Sequence, residues 1–349
     1  MSVRRIPVAV ADVPLPQEAG LVERLALDSP DLGRRLRAGM EQAEKLLVAT
    51  TQDTADPRIA EATGHLARAG GKRLRPLLVL LGAEFGTPWC AGVTEAAVVA
   101  ELVHIASLHH DDVMDHAPLR HGVPSVHARF GAPTAVFSGD WLLARGARMA
   151  ADLSPAAFRL HAATADRLVA GQLLELTGPT EGEDEVDHYF RVLSGKTAAL
   201  LSMSLGIGAL QAGAPEEHVA ALTGFGEELG VAFQIADDLL DMCSTAGASG
   251  KERGRDLLAG VPTLPVLLAL TGGHPQDAEL RELLAAGPVP EESAARALEL
   301  FARSPALAES EAALHHRLGL ARAAVGPLPE LPAKRALLAL CDYVAVRTS

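Results

Sequence analysis

The chain contains no asparagine and has few aromatic residues: Phe, Trp and Tyr make up 3 % of its 349 residues, whereas 48 % are hydrophobic. Its core must therefore be aliphatic and built mainly from Leu, Ala and Val. Ala and Leu stand near the top of the helix-propensity ranking, so this composition favours an all-α fold.

Positive charge is also scarce. Lys and Arg number 31 against 44 Asp and Glu, which gives a net charge of −13. Nucleic-acid-binding proteins normally carry a basic surface, so this class of protein is disfavoured. A phosphate compound would have to be held by metal ions or by a local basic cluster, because the overall field repels it.

Cysteine and long apolar runs are sparse as well. Cys90, Cys243 and Cys341 lie far apart without metal-ligand spacing, which is typical of reduced thiols. The longest uncharged runs, 197–215 and 257–276, are interrupted by Gly, Pro and polar residues, and neither resembles the ~20 apolar residues of a membrane span. These features predict a cytoplasmic protein without a stable membrane span.

Helical spacing of apolar residues extends over most of the chain. Residues 1–30 are interrupted by Pro and are predicted to form an N-terminal extension, whereas 31–349 are predicted to form one domain. Many predicted helices begin at or just after Pro, as at Pro57, Pro155 and Pro262, and another covers residues 186–210. No strand pattern is present.

Two aspartate clusters with the pattern DDxxD are the strongest functional signal. One is formed by Asp111, Asp112 and Asp115, and the other by Asp237, Asp238 and Asp241. Residues i and i+4 share a helix face, where like charges destabilise the helix unless a cation neutralises them. Carboxylate clusters suit a hard cation such as Mg²⁺, which also takes phosphate oxygens as ligands.

Each cluster continues a polar stripe along its apolar helix. His104 and Ser107 precede Asp111 on one helix face, and Gln234 precedes Asp237 on another. Two such stripes that face each other would form a cavity with metal at its mouth.

Several cationic side chains lie beside glycines in the sequence. Lys72 and Arg75 follow Gly70-Gly71, Arg120 and His121 precede Gly122, Lys196 and Thr197 follow Gly195 at the predicted start of a helix, and Lys251 follows Gly250. Glycine lets the backbone approach a ligand, and Lys and Arg donate to phosphate oxygens. Together they predict a site for two diphosphate groups.

The motifs GGKRLRP, ELVHIASLHHDDVMD, LRHG, GKTA, FQIADDLLD and TLP follow one another in this order. Over roughly residues 35–349 the chain resembles the trans-isoprenyl diphosphate synthase (polyprenyl synthetase) family, and within it the bacterial polyprenyl diphosphate synthases. The resemblance implies a single-domain helical bundle around a deep central apolar cavity, usually as a homodimer. It also implies a prenyltransferase that condenses isopentenyl diphosphate head to tail with an allylic diphosphate.

The resemblance also implies roles for individual residues. The six aspartates would hold Mg²⁺, three ions with substrate bound, with Asp111, Asp115 and Asp237 as the direct ligands. Lys72, Arg75 and His104 match positions that hold isopentenyl diphosphate, Arg120 matches a contact of the allylic diphosphate, and Lys196, Thr197, Gln234 and Lys251 match residues that flank the departing diphosphate. Two positions depart from the family pattern: His121 replaces a second Arg, and Val261-Pro262 stand where Lys is usual.

Product length is predicted from Ala106 and Ser107, one turn before Asp111. In the family, bulky aromatic residues there stop growth early, so these small residues predict a product longer than twenty carbons. A geranylgeranyl or farnesyl diphosphate synthase remains an alternative, since other residues could close the cavity deeper down.

Two rival functions are disfavoured by the motifs. A class I terpene cyclase usually begins its second metal motif with Asn, which this chain lacks entirely. A non-catalytic partner subunit typically loses the aspartates, and both clusters are complete here.

Overall fold

The computed structural model describes residues 20–243, 253–285 and 287–346, which are mostly helical, as predicted. The α-helices are α1 (Leu21–Leu25), α2 (Pro30–Gln52), α3 (Pro57–Thr63), α4 (His65–Ala69), α5 (Leu74–Ala83), α6 (Val93–Met114), α7 (Val126–Phe130), α8 (Ala132–Ala151), α9 (Pro155–Thr177), α10 (Glu185–Leu193), α11 (Ala199–Gln211), α12 (Glu216–Cys243), α13 (Arg255–Ala259), α14 (Leu264–Thr271), α15 (Ala278–Leu284), α16 (Glu291–Phe301), α17 (Pro305–Ala324) and α18 (Pro332–Val346). A π-helical segment, Ser194–Ala198, joins α10 to α11, and a 3₁₀ turn covers Pro275–Asp277.

Ser and Asp caps explain several helix starts. Ser154 precedes Pro155 and its hydroxyl accepts a 3.2 Å hydrogen bond from the Ala157 amide, so the orphan donors of the first turn of α9 are partly satisfied. The start predicted at Pro262 is wrong by two residues, because Thr263 is the N-cap and α14 begins at Leu264.

A short β-hairpin was not predicted. Strands β1 (Leu119–Arg120) and β2 (Val123–Pro124) pair antiparallel, with Leu119 opposite Pro124 and Arg120 opposite Val123. The two turn residues between them, His121 and Gly122, have φ of 50° and 79°, as a type I′ turn requires. Because the turn is His-Gly rather than Asn-Gly or Asp-Gly, the usual sequence signal for a hairpin is weak.

Helices α5, α6, α11 and α12 form the buried centre of the molecule. Helix α11 packs on both α5 and α12, while α6 packs on α8. A Cβ on Gly208 would lie 2.0 Å from the Val79 carbonyl oxygen, so α5 and α11 meet backbone to backbone. The core is aliphatic as expected, with Phe225 and Phe301 as the aromatic side chains among the largest fully buried ones.

One described stretch is long and apolar enough to cross a membrane. It runs through Glu185–Gln211, and 83 % of its most apolar window is buried inside the protein, as in a core helix. The cytoplasmic location stays a prediction.

The boundary predicted at residue 30 also stays a prediction. Residues 1–19 are not among the described residues, whereas α1 packs against α2 and α18.

Candidate active site

A cavity of about 560 Å³ opens beside α6, α8, α9 and the π-helical segment. Its polar lining is contributed by Arg75, His104, Ser107, His110, Asp111, Asp140, Gln172, Lys196 and Thr197. Most of the remaining lining is aliphatic and comes from Leu108, Leu143, Leu168, Leu173 and Leu200, among others. The stripe predicted on α6 therefore faces an apolar cavity.

A second cavity of about 410 Å³ lies next to the first. Tyr189, Gln234 and Asp238 are part of its lining. Lys196 and Thr197 line both cavities, so the π-helical segment separates the aspartate motif of α6 from that of α12. Asp111 therefore lines the cavity on one side of this segment and Asp238 the cavity on the other.

The first aspartate cluster lies at the end of α6. Burial raises the pKa of Asp111, Lys196 lowers it and Asp115 raises it further, so a cation at this carboxylate would be favoured. Asp112 is buried: its Oδ1 accepts hydrogen bonds of 2.8 and 2.6 Å from Arg120. Asp115 is exposed just beyond the last helical residue, Met114.

The second cluster lies near the end of α12, and its central carboxylate is bound within the protein. Oδ2 of Asp238 accepts hydrogen bonds from the Tyr189 hydroxyl at 2.6 Å and from the Leu264 amide at 3.2 Å, while Oδ1 accepts one from Gln234. Burial raises the pKa of Asp238 to about 6, although these donors lower it. Asp238 is therefore a well-anchored group between α10, α12 and α14.

Asp241 ties the next segment to α12. Its Oδ2 accepts a 3.1 Å hydrogen bond from the Asp256 amide, and its carbonyl accepts one of 2.9 Å from Gly254. Lys251, predicted to flank the departing diphosphate, lies outside the described residues.

A group of cationic side chains surrounds His104. Burial lowers the pKa of His104 well below its usual value, and Arg75, His121 and Arg120 add to this effect. His104 is therefore neutral at pH 7. Nε of Arg75 is buried without a hydrogen-bond partner among the described residues, which is what a site shaped for an anion would show.

The basic motif before α5 divides into structural and candidate binding residues. Arg73, with φ of 47°, is buried, and it donates to Glu44 at 2.8 Å and to Glu101 at 3.0 Å. Arg75 lines the first cavity, whereas Lys72 is exposed beside a separate cleft of about 200 Å³. Arg73 therefore anchors the motif, Arg75 faces the first cavity, and Lys72 is exposed to solvent elsewhere.

Lys196 and Thr197 lie in the π-helical segment and not at a helix start. The prediction that Ser194-Gly195-Lys196-Thr197 opens a helix is wrong, because α10, this segment and α11 form one continuous helical stretch. Nζ of Lys196 donates a 2.5 Å hydrogen bond to Glu175, and the Thr197 hydroxyl lies 3.4 Å from the side-chain oxygen of Gln234.

The donor set fits a hydrated divalent cation better than a closed metal cage. Within the described ranges no group of three or more His, Cys, Asp or Glu side chains could hold a metal ion alone. Oδ2 of Asp112 is buried and has no hydrogen-bond partner in the described part of the chain. Mg²⁺ typically takes one or two carboxylates and completes its shell with water and substrate phosphates.

Comparison with known proteins decides the family. The polyprenyl synthetase family model matches residues 56–301, which is more than half of the chain. The chain belongs to the polyprenyl synthetase family. The predicted activity, a head-to-tail polyprenyl diphosphate synthase, is thereby confirmed.

Individual relatives cover nearly the whole chain. The nonaprenyl diphosphate synthase of Mycobacterium tuberculosis is 42 % identical over 89 % of this chain and 93 % of its own length. A decaprenyl diphosphate synthase from Rhodobacter capsulatus matches with a TM-score of 0.83 and 32 % identity, covering 94 % of this chain and 99 % of that one.

A geranylgeranyl pyrophosphate synthase from Corynebacterium glutamicum, solved with calcium and isoprenyl diphosphate, matches with a TM-score of 0.82 and 37 % identity. This match covers 91 % of this chain and 98 % of that one. Polyprenyl synthetases use a divalent metal ion.

Two side chains of this polyprenyl synthetase contact predicted site residues but were not themselves predicted from the sequence. Tyr189 anchors Asp238, and Glu175 holds Lys196. The only hint for Tyr189 is its rarity, since the chain has two tyrosines. Glu175 resembles any other charge near a helix end.

Proposed function

We propose that this chain condenses isopentenyl diphosphate with an allylic diphosphate in a magnesium-dependent reaction that gives products longer than twenty carbons. The observation that carries the proposal is the first cavity. Its lining is largely aliphatic, yet Arg75, His104, Asp111 and Lys196 all contribute to it. Such a cavity can bury a prenyl tail and hold a diphosphate at the same time.

The cations around His104 are assigned to the two diphosphates. Arg75, whose buried Nε has no partner among the described residues, and the neutral His104 support a site for isopentenyl diphosphate, with His121 nearby. Lys72 is assigned to the same diphosphate by its motif alone, since its side chain lies beside a separate cleft. Arg120 is assigned to the allylic diphosphate. Its hydrogen bonds to Asp112 orient the guanidinium beside the first aspartate cluster.

Asp111, Asp115, Asp237 and Asp241 are assigned to Mg²⁺, with three ions present when substrate is bound. Asp238 is buried and accepts hydrogen bonds at both oxygens, so it supports the geometry of its cluster. Asp112 accepts hydrogen bonds at Oδ1 only, and its Oδ2, which has no partner in the described part of the chain, is assigned to Mg²⁺ as well. Bound Mg²⁺ supplies Lewis-acid stabilisation of the charge that builds on the departing diphosphate.

The chain's own groups complete the chemistry. Lys196, Thr197, Gln234 and Lys251 are assigned to the departing diphosphate, where preorganised donors lower the barrier. The allylic C–O bond breaks, the double bond of isopentenyl diphosphate attacks the resulting cation, and a proton leaves to the released diphosphate. The aliphatic wall keeps water away from the cation.

Ser107 supports a long product. It lines the first cavity, whereas Ala106 is fully buried in the core away from that lining. A small side chain at Ser107 leaves the cavity open along α6. The relative that makes a nonaprenyl product adds support.

A homodimer is proposed from exposed apolar residues. Phe137, Val169, Leu173 and Leu176 are more than half exposed on α8 and α9. Single exposed apolar residues are ordinary, but a group of them marks an interaction surface. Light scattering of the purified chain tests this directly, and a monomeric mass would refute it.

The activity is tested by incubation of the purified protein with Mg²⁺, isopentenyl diphosphate and each allylic primer in turn. Mass spectrometry should show a ladder of prenyl diphosphates that ends beyond twenty carbons. A ladder that stops at fifteen or twenty would contradict the proposed length. Cyclic hydrocarbon from a primer alone, without elongation, would contradict the reaction itself.

A further inference from the structure

The segment Ser194–Ala198 departs from α-helical geometry at the place where the two cavities meet. The Ala199 amide donates to the Ser194 carbonyl, five residues back, which is π-helical bonding. A single π-helical turn within an α-helix is rare and frequently occurs at a functional site. The segment Ser194–Ala198 is called the π-turn below. Here the two consecutive side chains that line both cavities, Lys196 and Thr197, lie inside the π-turn.

An ion pair between α9 and α12 makes hydrogen bonds to Ser194, the first residue of this segment. Nη2 of Arg167, on α9, donates to the Ser194 carbonyl at 3.0 Å, to the Ser194 hydroxyl at 2.9 Å and to Glu227, on α12, at 2.7 Å. The Ser194 hydroxyl in turn donates to Glu227 at 2.5 Å. The Ser194 carbonyl therefore accepts from both Ala199 and Arg167.

Glycines on the same two helices press against the turn. A Cβ on Gly171, of α9, would lie 2.7 Å from the backbone nitrogen of Lys196. A Cβ on Gly230, of α12, would lie 2.4 Å from Cα of Ala198. The segment is therefore enclosed by backbone on two sides. The polar network of Arg167 and Glu227 contacts its first residue, Ser194.

Neither Arg167 nor Glu227 lines either cavity, so they reach the reacting atoms only through other residues. We propose that the Arg167–Ser194–Glu227 network is a positioning device that holds the π-turn and so aims Lys196 and Thr197 at the departing diphosphate. This rests on the roles proposed above for Lys196 and Thr197. Arg167, Ser194 and Glu227 are positioning residues, and Lys196 carries the contact.

The chain offers a matched control. Arg317, on α17, donates a 3.0 Å hydrogen bond to Glu228, the neighbour of Glu227 on α12, and both side chains of this pair are partly buried. The Arg317–Glu228 pair involves the same helix but does not contact Ser194. Arg317→Gln therefore removes a comparable ion pair, together with the stacking of Arg317 on the Phe190 ring of α10, without a direct contact to the π-turn being lost.

The test compares wild type, Arg167→Gln, Arg167→Lys and Arg317→Gln in Mg²⁺. Because small displacements of catalytic groups are expensive, we expect Arg167→Gln to lower the rate of the first condensation by about 10- to 100-fold. The KM for isopentenyl diphosphate should change less than about twofold, because the substitution leaves the ground-state contacts of this substrate in place. Arg167→Lys should restore part of the rate, and Arg317→Gln should leave it unchanged.

A second readout does not depend on activity. Amide hydrogen exchange in the peptide that contains residues 194–199 should be faster in Arg167→Gln than in wild type and in Arg317→Gln. An unchanged condensation rate in Arg167→Gln, or equal losses in Arg167→Gln and Arg317→Gln, would overturn the positioning role. Wild-type protein that fails to elongate would instead overturn the proposed function.

Discussion

The hydroxyl of Tyr189 donates a 2.6 Å hydrogen bond to Oδ2 of Asp238, and both side chains are buried. This contact joins α10 to the second aspartate motif on α12. Since the Leu264 amide donates to the same oxygen, α14 is tied to the motif as well. The geometry of the motif thus depends on three helices.

Removal of the Tyr189 hydroxyl should weaken this anchor. We expect Tyr189→Phe to lower the free energy of unfolding by about 1–3 kcal/mol, because a buried carboxylate loses a donor. The Mg²⁺ concentration that gives half-maximal activity should rise. Tyr343→Phe, at the only other tyrosine, is the control, and equal Mg²⁺ requirements in both variants would contradict the role of Tyr189.

Product length should respond to Ser107 and not to Ala106. We expect Ser107→Phe to shorten the longest product seen by mass spectrometry, because its ring would extend into the cavity that Ser107 lines. Ala106→Phe should instead overpack the core and lower stability by about 1–3 kcal/mol. An unchanged product ladder in Ser107→Phe would show that the cavity is closed elsewhere.

We expect substitution of Arg73 to affect stability and substitution of Arg75 to affect substrate binding. We expect Arg73→Gln to lower the free energy of unfolding by about 3–5 kcal/mol, since it leaves the buried Glu101 carboxylate without its partner. Arg75→Gln should leave stability unchanged or raise it, but should raise the KM for isopentenyl diphosphate. Urea unfolding and steady-state kinetics measure the two effects, and the reverse pattern would contradict this division.

His161 should make stability depend on pH. Burial lowers its pKa, so the folded state favours the neutral ring and the unfolded state binds the proton more readily. Its contribution is therefore complete above a pH of about 6.5 and is lost as the pH falls below this value, by at most about 1.4 kcal/mol per pH unit. The stability difference between wild type and His161→Gln, from urea unfolding at pH 7.5 and 5.0, should shrink at the lower pH; a constant difference would exclude this effect.

Local spacing was enough to predict the all-α fold and to place His104, Ser107 and Asp111 on one face of α6, where they line the first cavity. The π-turn at Lys196 escaped prediction because α11, which follows it, is buried on nearly every side, so its apolar residues show no single face whose shift could be seen in the sequence. The partners Tyr189 and Glu175 escaped because each contact joins separate helices. The hairpin escaped because His121 is an unusual residue for a type I′ turn.

Val169, Leu173 and Leu176 line the first cavity, yet they are 59, 56 and 62 % exposed. Each methylene of a prenyl tail gains about 0.8 kcal/mol when it is buried, so growth along this open side of α9 yields less than growth along α6. In the proposed dimer a second copy would cover this side. Product length would then vary with protein concentration, through mass action, as well as with the side chains of the cavity.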